Sequence, residues 1–407
     1  MKIFTSGLLI VFALLFLTSC AGLHPETMSE SLQFTAPGSP YINPESMSRD
    51  EIIHLPTGTF LSQSELFKLL ANVQIVYVGE GHDNIYDHQV ELEVIKKLYQ
   101  QHHQNLAVGF EMLAHLNQEK IDLWLNHKLS DDDFIRLFAA DWGVADFIYY
   151  RDIFNYLKAH NIPIRALNVS RQEKMKFMHG IMASGPGKVT QKNNLHAGKI
   201  DPFQEKALQA MFKGHAQGHG DIGMFIKVQQ LWEETMAHNI KNYLDSPSGV
   251  DKFMVVIAGG FHVERGYGLP RRVFQQTKLS YATILTYTPA ELIENDRRTM
   301  DVDFPDLPLY LCDYLWCVPY RNLKDRQAHL GIGMQHDDKG IKVVMVEPGS
   351  AAAKYGLKLG DVLVAGDGKQ LKDPLDLSLL LLEKEKGGAI ELQIERDNQL
   401  QTVKIQL

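Results

Sequence analysis

Two short histidine motifs framed by glycine hold most of the reactive side chains in this sequence of 407 residues. Gly79-Glu80-Gly81-His82 follows the apolar run 73–78, and Gly259-Gly260-Phe261-His262 follows the apolar run 253–258. Continuous apolar runs of this length predict strands that are buried on both faces of a parallel sheet. Because ligands bind beyond the carboxyl ends of such strands, we expect the two motifs to meet in one site.

Further histidine and carboxylate side chains surround these motifs. His88 lies in the helix expected after the first motif, and Glu111 directly follows the apolar run 106–110. Zinc hydrolases combine histidine and glutamate ligands with an open position for water, so this set suits a divalent metal. Each residue also has a purely structural explanation as a satisfied polar group at a strand end. The candidate catalytic or ligand residues are Glu80, His82, His88, Glu111 and His262.

The elements that position these residues alternate between strand and helix. The predicted strands are 73–78, 106–110, 163–168, 253–258 and 281–285. Amphipathic helical segments separate them, and the longest is expected over 221–244. This alternation predicts an α/β domain over residues 51–298, with a mostly parallel sheet covered by helices.

The amino terminus has the features of a targeting segment. Residues 1–19 combine a basic start with an apolar core, and Leu17-Thr18-Ser19-Cys20 resembles the bacterial lipobox, which predicts lipidation of Cys20. An ordinary signal peptide with an incidental cysteine is the alternative. Residues 20–50 are rich in Ser, Pro and Gly and are expected to form a flexible tether. By resemblance to the sorting rules of bacterial lipoproteins, Ala21 favours the outer membrane, where the lipid would anchor a domain that faces the periplasm or the cell surface.

Charge and cysteine content restrict the function further. A formal net charge of −8 argues against a nucleic-acid partner, which requires a basic surface. Residues 299–325 are rich in turn formers and are expected to be a linker. They contain Cys312 and Cys317, for which an oxidising periplasm favours a disulfide. Free thiols, or half of a metal site, are the alternatives.

The last 82 residues, 326–407, form a separate module. Ser350-Ala351-Ala352, followed by Gly356-Leu357 and Gly360-Asp361-Val362-Leu363, resembles a PDZ domain of the bacterial periplasmic type. The resemblance implies a small β-rich domain that binds a protein C-terminus or extended peptide as an added strand. A PDZ domain that binds nothing is the alternative. The loop expected to bind the peptide carboxylate consists of Leu330, Gly331, Ile332, Gly333 and Met334.

The larger domain resembles the ChaN-like haem-binding lipoprotein family over about residues 55–295. The resemblance is carried by segments 78–84, 108–112, 229–237, 257–263 and 266–270. It implies haem bound between two protomers, iron acquisition at the outer membrane, and a tyrosine ligand to the haem iron. The wider superfamily includes erythromycin esterases and Tiki-type proteases. The candidate tyrosines, which lie near the predicted site loops, are Tyr86, Tyr149, Tyr150 and Tyr267.

Three functions follow from these observations. The first is a haem-binding outer-membrane lipoprotein of iron uptake, whose PDZ domain recruits a protein partner. The second is a metal-dependent peptidase or esterase that uses Glu80, His82 and His262 with a metal such as zinc. The third is a non-catalytic adaptor of the cell envelope.

Overall fold

The computed structural model describes residues 43–184, 200–216, 221–295, 305, 307, 309–324 and 326–407. The expected signal peptide, Cys20 and most of the tether lie outside these residues. The chain divides into two compact units. The larger unit consists of the chain up to Leu137 and residues 149–322, and the smaller unit consists of residues 138–148 and 323–407. Within the described ranges, no helix combines the length and apolar character that a membrane crossing requires.

The larger unit is built on an eight-stranded sheet in the order β2-β1-β8-β7-β3-β6-β4-β5. The six strands from β8 to β5 are parallel, and the β1–β2 hairpin is antiparallel at one edge. This confirms the predicted α/β class with a mostly parallel sheet. The strands are β1 Ile52–His54, β2 Thr59–Leu61, β3 Ile75–Glu80, β4 Leu106–Ala114, β5 Ile164–Asn168, β6 Phe253–Gly259, β7 Tyr281–Tyr287 and β8 Tyr314–Cys317.

Helices connect and flank these strands. The long helix expected over 221–244 begins after Asp221, whose side chain accepts hydrogen bonds from two backbone N–H groups of the first turn. Its buried face packs against the sheet. The helices are α1 Gln63–Leu70, α2 Ile85–His102, α3 Gln118–Leu125, α4 Asp131–Asp141, α5 Phe147–Ala159, α6 Arg171–Ser184, α7 Pro202–Ala216, α8 Ile222–Leu244, α9 Gly260–Val263 and α10 Leu269–Thr277.

The register of three central strands brings the two histidine motifs together. β3 pairs in parallel with β6, and Glu80 lies opposite Gly259. All residues of β3 and β6 are buried, as the continuous apolar runs predict. A Cβ atom on Gly79 would lie 3.0 Å from the backbone Cα of Gly260, so the close approach of the strand end to α9 requires glycine. Both motifs therefore leave the sheet at the same edge.

The segment expected to be a linker instead supplies a strand. Tyr314–Cys317 forms β8, which lies between β1 and β7 and is fully buried. The predicted linker over 299–325 is therefore wrong where β8 runs through the sheet, and the larger unit continues to residue 322. The sequence concealed this strand because it is only four residues long and is surrounded by turn-forming residues.

The predicted disulfide is also wrong, because Cys312 and Cys317 are free, buried thiols. The segment from Asp313 to Cys317 runs extended along β1. Its hydrogen bonds to β1 and the flanking residues begin at the carbonyl of Asp313 and end at the N–H of Cys317. Four extended steps of about 3.3 Å separate these two residues by about 13 Å, whereas disulfide-bonded Cα atoms lie within about 7 Å. The single peptide step back to Cys312, about 3.8 Å, does not close that gap.

The smaller unit contains an antiparallel sheet in the order β14-β13-β11-β10-β9, with β12 beside β11. This matches the β-rich PDZ module expected from the sequence. Its helices are α11 Ala351–Lys354 and α12 Pro374–Leu382. Its strands are β9 Ile332–Asp337, β10 Gly340–Val346, β11 Val362–Gly366, β12 Lys369–Gln370, β13 Ala389–Arg396 and β14 Gln399–Gln406.

The expected carboxylate-binding loop leads into the edge strand of this sheet. Leu330 is buried, Gly331 follows it, and the remaining three loop residues begin β9. Gly331 has a φ of +72°, and a Cβ atom there would lie 2.3 Å from the Cβ of Ser350. Glycine is therefore required at this turn. Within the described residues β9 pairs only with β10, and α12 also contacts β9.

Candidate functional site

The first part of the site is centred on Glu80, the last residue of β3. Its Oε1 atom accepts a hydrogen bond of 2.6 Å from the hydroxyl of Tyr150 on α5. The same oxygen lies 2.7 Å from Nδ1 of His82, which donates to it. The backbone N–H of Gly81 donates to Asp87 over 2.6 Å and thereby fixes the turn between Glu80 and His82. The Glu80 side chain is fully buried, whereas 12% of the His82 side chain is exposed.

Two residues of α2, His88 and Glu91, complete this cluster. Nδ1 of His88 lies 2.9 Å from Oε2 of Glu91 and 3.0 Å from Oε2 of Glu80. Nε2 of His88 donates to the carbonyl oxygen of His82 over 3.2 Å. Sequence analysis found His88 but missed Glu91. The signal was present, because residues three apart on a helix share a face.

The two carboxyl groups of this cluster, Glu80 and Glu91, differ in how readily they ionise. Burial opposes ionisation of Glu80, but the neighbouring His88 and His82 more than offset it and lower the pKa of Glu80 to about 2. Burial, with the adjacent charge of Glu80, raises the pKa of Glu91 well above its ordinary value. Burial also lowers the pKa of His88. In this cluster the surroundings therefore favour ionisation of Glu80 and disfavour ionisation of Glu91.

The second part of the site is centred on His262 in α9, the short helix after β6. Its Nδ1 donates to Oε1 of Glu233 over 3.2 Å, and its Nε2 lies 3.5 Å from Oε1 of Glu111. Glu233 also accepts hydrogen bonds from Gln204 at 2.8 Å and from Nε of Arg272 at 2.9 Å. These side chains are almost completely buried. Glu233, Arg272 and Gln204 were not identified as site residues from the sequence, because they lie on separate helices with no shared motif.

Both carboxylates of this second cluster are held ionised. Burial opposes ionisation of Glu111, but the charge and hydrogen bond of His262 lower its pKa to about 2. Burial likewise opposes ionisation of Glu233, whose pKa is lowered by His262 and Arg272. The Glu233 carboxylate accepts from Nδ1 of His262, and Nε2 of the same ring faces Glu111.

The two clusters meet above the end of β6. Oε2 of Glu111 accepts the backbone N–H of Gly259 over 2.8 Å. A Cβ atom on Gly259 would lie 2.9 Å from Nε2 of His82 and 3.5 Å from Oε2 of Glu111. His82 also helps to lower the pKa of Glu111. The five candidate residues from the sequence thus lie at one edge of the sheet, in two clusters that come close together at Gly259.

The metal set suggested by the sequence does not assemble. Among the residues that the structure describes, one trio of His, Asp, Glu or Cys side chains has donor atoms that all lie within 4.8 Å of one another. It consists of Glu80, His88 and Glu91. Glu80, His82 and His262 do not form such a trio, because His262 is turned toward Glu111 and Glu233.

The four candidate tyrosines have different environments. The hydroxyl of Tyr150 is buried against Glu80, and the hydroxyl of Tyr267 donates to buried Glu264 over 2.8 Å. Tyr149 is also buried, and its ring lies 5.4 Å from that of His88. Tyr86, in the first turn of α2, is the one of the four that is partly exposed.

The surroundings of Tyr86 fit an anionic porphyrin. Its hydroxyl donates to Oε1 of Glu294 over 2.6 Å, and this hydrogen bond is the main cause of its raised pKa. The Arg49 guanidinium lies 5.2 Å from the centre of the Tyr86 ring, and Arg321 lies 3.6 Å from Glu294. A phenol oxygen suits ferric iron, and guanidinium groups pair with carboxylates such as propionates. Haem therefore fits Tyr86 better than the three buried tyrosines.

Comparison with known families gives two matches. Residues 66–273 match a family described as haem-binding uptake, Tiki superfamily, ChaN. Residues 328–407 match the PDZ domain family. The first match covers about half of the chain and contains every residue of the two clusters described above.

Known structures and sequences agree with these matches. The structure described as cofacial haem binding to ChaN of Campylobacter jejuni is 16% identical, with a TM-score of 0.50 over 67% of this chain and 97% of that one. This likeness concerns the fold. A PDZ domain-containing protein of Caenorhabditis elegans is 35% identical over 77 residues, 19% of this chain and 56% of that protein. The chain thus spans little more than half the length of that curated relative.

Proposed function

Because the chain belongs to the ChaN family of haem-binding uptake proteins and also contains a PDZ domain, we propose that it binds haem as cargo for iron uptake. The observation that supports this most directly is the position of Tyr86. It is partly exposed at the start of α2, and two arginines lie near it or its hydrogen-bond acceptor. Haem iron would bind the Tyr86 oxygen, and its propionates would pair with Arg49 and Arg321.

The hydrogen bond to Glu294 predicts how this binding depends on pH. The phenol must lose its proton to bind ferric iron, and Glu294 raises the pKa of Tyr86. Proton loss becomes easier as the pH rises, so haem affinity should increase with pH. Replacing the charged acceptor by a neutral one in Glu294→Gln should lower the pKa of Tyr86 and strengthen haem binding at neutral pH.

Haemin titration followed by Soret absorbance tests this proposal. The purified protein should show a saturable Soret shift, and Tyr86→Phe should weaken binding by about tenfold or more. Tyr99→Phe is the matched control, since Tyr99 lies on the same helix and its ring contacts His160 and Tyr156 instead. Absence of a saturable shift in the unaltered protein contradicts haem binding. Equal affinities for Tyr86→Phe and Tyr99→Phe contradict the assignment of Tyr86.

We place this activity at the outer membrane, with the chain as a lipoprotein anchored through Cys20. The support is the sequence Leu17-Thr18-Ser19-Cys20 after an apolar stretch. Labelling with a palmitate analogue should mark the protein, and Cys20→Ser should lose both the label and the membrane fraction. A labelled Cys20→Ser variant contradicts the anchor. Haem shared between two protomers predicts that haemin shifts the sedimentation of the protein from monomer to dimer.

The PDZ domain would recruit a partner through its C-terminus. β9 pairs with β10 on one side, and glycine at 331 lets the backbone turn into the strand. A peptide can add beside such an edge strand. A library of carboxyl-terminal peptides applied to the full chain should yield binders that lose affinity when their terminus is amidated. Binders that are insensitive to amidation contradict carboxylate recognition.

Hydrolysis is the second candidate function, and one contact favours it. His82 is partly exposed and donates through Nδ1 to the ionised, buried Glu80. A carboxylate that orients a histidine is the usual arrangement of a general base. With its pKa near 2, Glu80 itself is a poor base, so His82 would take that role. Peptidase and ester substrates should then be cleaved far more slowly by Glu80→Gln, and equal rates contradict this activity.

A further inference from the structure

Three donor atoms converge beneath the loop that contains His82, and we propose that Glu80, His88 and Glu91 bind one divalent first-row transition-metal ion. Nδ1 of His88 lies 2.9 Å from Oε2 of Glu91 and 3.0 Å from Oε2 of Glu80. All donor atoms of the trio lie within 4.8 Å of one another. The site goes beyond haem binding, because none of its donors is a candidate haem ligand.

The hydrogen bonds around His88 direct its Nδ1 toward two carboxyl groups. Its Nε2 contacts the carbonyl oxygen of His82, which only accepts, so this nitrogen carries a proton. Nδ1, the other ring nitrogen, faces carboxyl oxygens of Glu91 and Glu80 and is the atom through which His88 would bind an ion. Oε1 of Glu91 is buried and has no hydrogen-bond partner among the described residues. Buried polar atoms are normally satisfied, so an unpartnered oxygen on a residue of the trio supports a cation beside this carboxyl group.

The spacing of the donors fits a metal ion. Bonds of about 2.1 Å at right angles place two donor atoms about 3.0 Å apart. The observed separations of 2.9 and 3.0 Å match the edges of such a coordination shell. One imidazole nitrogen with two carboxylate oxygens suits ions such as Mn²⁺ and Zn²⁺.

Neighbouring side chains orient the ligands as they do in metal sites. Tyr150 and His82 both donate to Oε1 of Glu80, which leaves Oε2 for the trio. The ring of Tyr150 lies 4.5 Å from that of His88 and meets it edge-on. The contact of His88 Nε2 with a backbone carbonyl resembles the outer hydrogen bond that metal-bound histidines make. The ligands are therefore held in place before any ion binds.

The elements that supply the ligands are rigid and adjacent. Glu80 ends a central strand of the sheet, and His88 and Glu91 lie three residues apart on α2. That spacing places both helix residues on one face. His82, which contacts Glu80 and is partly exposed, marks the side from which an ion would enter.

Calorimetric titration of the chelator-treated full chain with MnCl₂ and with ZnCl₂ tests this site. We expect one saturable site per chain for at least one of the two ions. Glu91→Gln and His88→Gln should abolish it, whereas Glu93→Gln, a half-exposed glutamate of the same helix, should bind as the unaltered protein does. Circular dichroism checks that the variants are folded.

Tyr150→Phe provides a second test that keeps all three ligands. It removes one hydrogen bond that orients Glu80, and affinity should fall by about tenfold to 100-fold, as for other supporting residues of metal sites. The absence of saturable binding of either ion overturns the proposal. So does a site of unchanged affinity in folded Glu91→Gln, since binding would then lie elsewhere among the histidines of the chain.

Discussion

Replacing Glu233 by glutamine tests how the His262 cluster is held together. The Glu233 carboxylate accepts hydrogen bonds from His262, Gln204 and Arg272, and its side chain is completely buried. Glutamine has the same shape but no charge, and its amide group directs hydrogens toward other donors. The substitution therefore removes the charge partner from a buried ion pair without opening a cavity.

The expected magnitude follows from these contacts. Removing one partner of a buried ion pair costs about 3–5 kcal/mol. Arg272 keeps a second carboxylate, Glu234, which reduces this penalty. We therefore expect Glu233→Gln to lower the free energy of unfolding by about 3 kcal/mol at neutral pH. Glu234→Gln is the matched control, because its side chain is 15% exposed and it should cost about 1 kcal/mol or less.

The assay is urea unfolding followed by tryptophan fluorescence. The chain has four tryptophans. Trp124, Trp232 and Trp316 lie in the larger unit, whereas Trp142 lies in the segment 138–148 of the smaller unit, so three of the four report on the larger unit. Trp232 is adjacent to Glu233 in the sequence, and its ring lies 6.0 Å from that of His262. Equal stabilities of Glu233→Gln and Glu234→Gln would refute the assignment of Glu233 as the central carboxylate of this cluster.

The same pair of proteins gives a pH dependence with a definite sign. The pKa of Glu233 is below its ordinary value of 4.5, so its ionised form contributes stability above that pH. This contribution disappears as the pH falls through the lower folded-state pKa. The stability difference between the unaltered protein and Glu233→Gln should therefore be constant near neutrality and should shrink in acid. A difference that grows in acid contradicts this sign.

Three further predictions concern other parts of the molecule. Tyr150→Phe should destabilise the larger domain by about 2 kcal/mol in urea unfolding, because a buried hydrogen bond to a carboxylate is lost; an unchanged midpoint contradicts that contact. Gly331→Ala should lower the stability of the PDZ domain by more than Gly349→Ala in hydrogen exchange, because both have positive φ but only the first has a close neighbour; equal effects contradict the turn geometry. Thiol titration of the denatured protein should find Cys312 and Cys317 in equal amount with and without reductant, and a gain with reductant contradicts the free thiols.

Sequence analysis predicted the sheet and the meeting of the two histidine motifs for a clear physical reason. Buried parallel strands are continuous apolar runs, and the carboxyl ends of parallel strands share one edge. The structure places Glu80 opposite Gly259 in neighbouring strands, although 179 positions separate them. The apolar runs and the glycines that follow them were therefore enough to predict that the two histidine motifs meet.

The remaining site residues could not be predicted in the same way. Glu91 shares a helix face with His88, and Glu233 lies in the segment 229–237, but neither signal shows that the side chain is buried, because a buried glutamate on a helix has the same sequence appearance as a solvated one. Arg272 reaches Glu233 from α10, and this contact depends on how two helices pack. Strand β8 was mistaken for a linker because a four-residue strand has too few positions to show a period. The disulfide prediction was wrong for the same reason, because it assumed a loop between Cys312 and Cys317 where the chain is an extended strand.

The most direct test of the proposed function is the position of iron in crystals of the haemin complex, located by anomalous diffraction at the iron edge. If haem binds at Tyr86, the anomalous peak should lie within bonding distance of the Tyr86 hydroxyl oxygen, and Arg49 and Arg321 should lie beside the propionates. An iron peak bound to any other side chain, with Tyr86 still donating to Glu294, would contradict it.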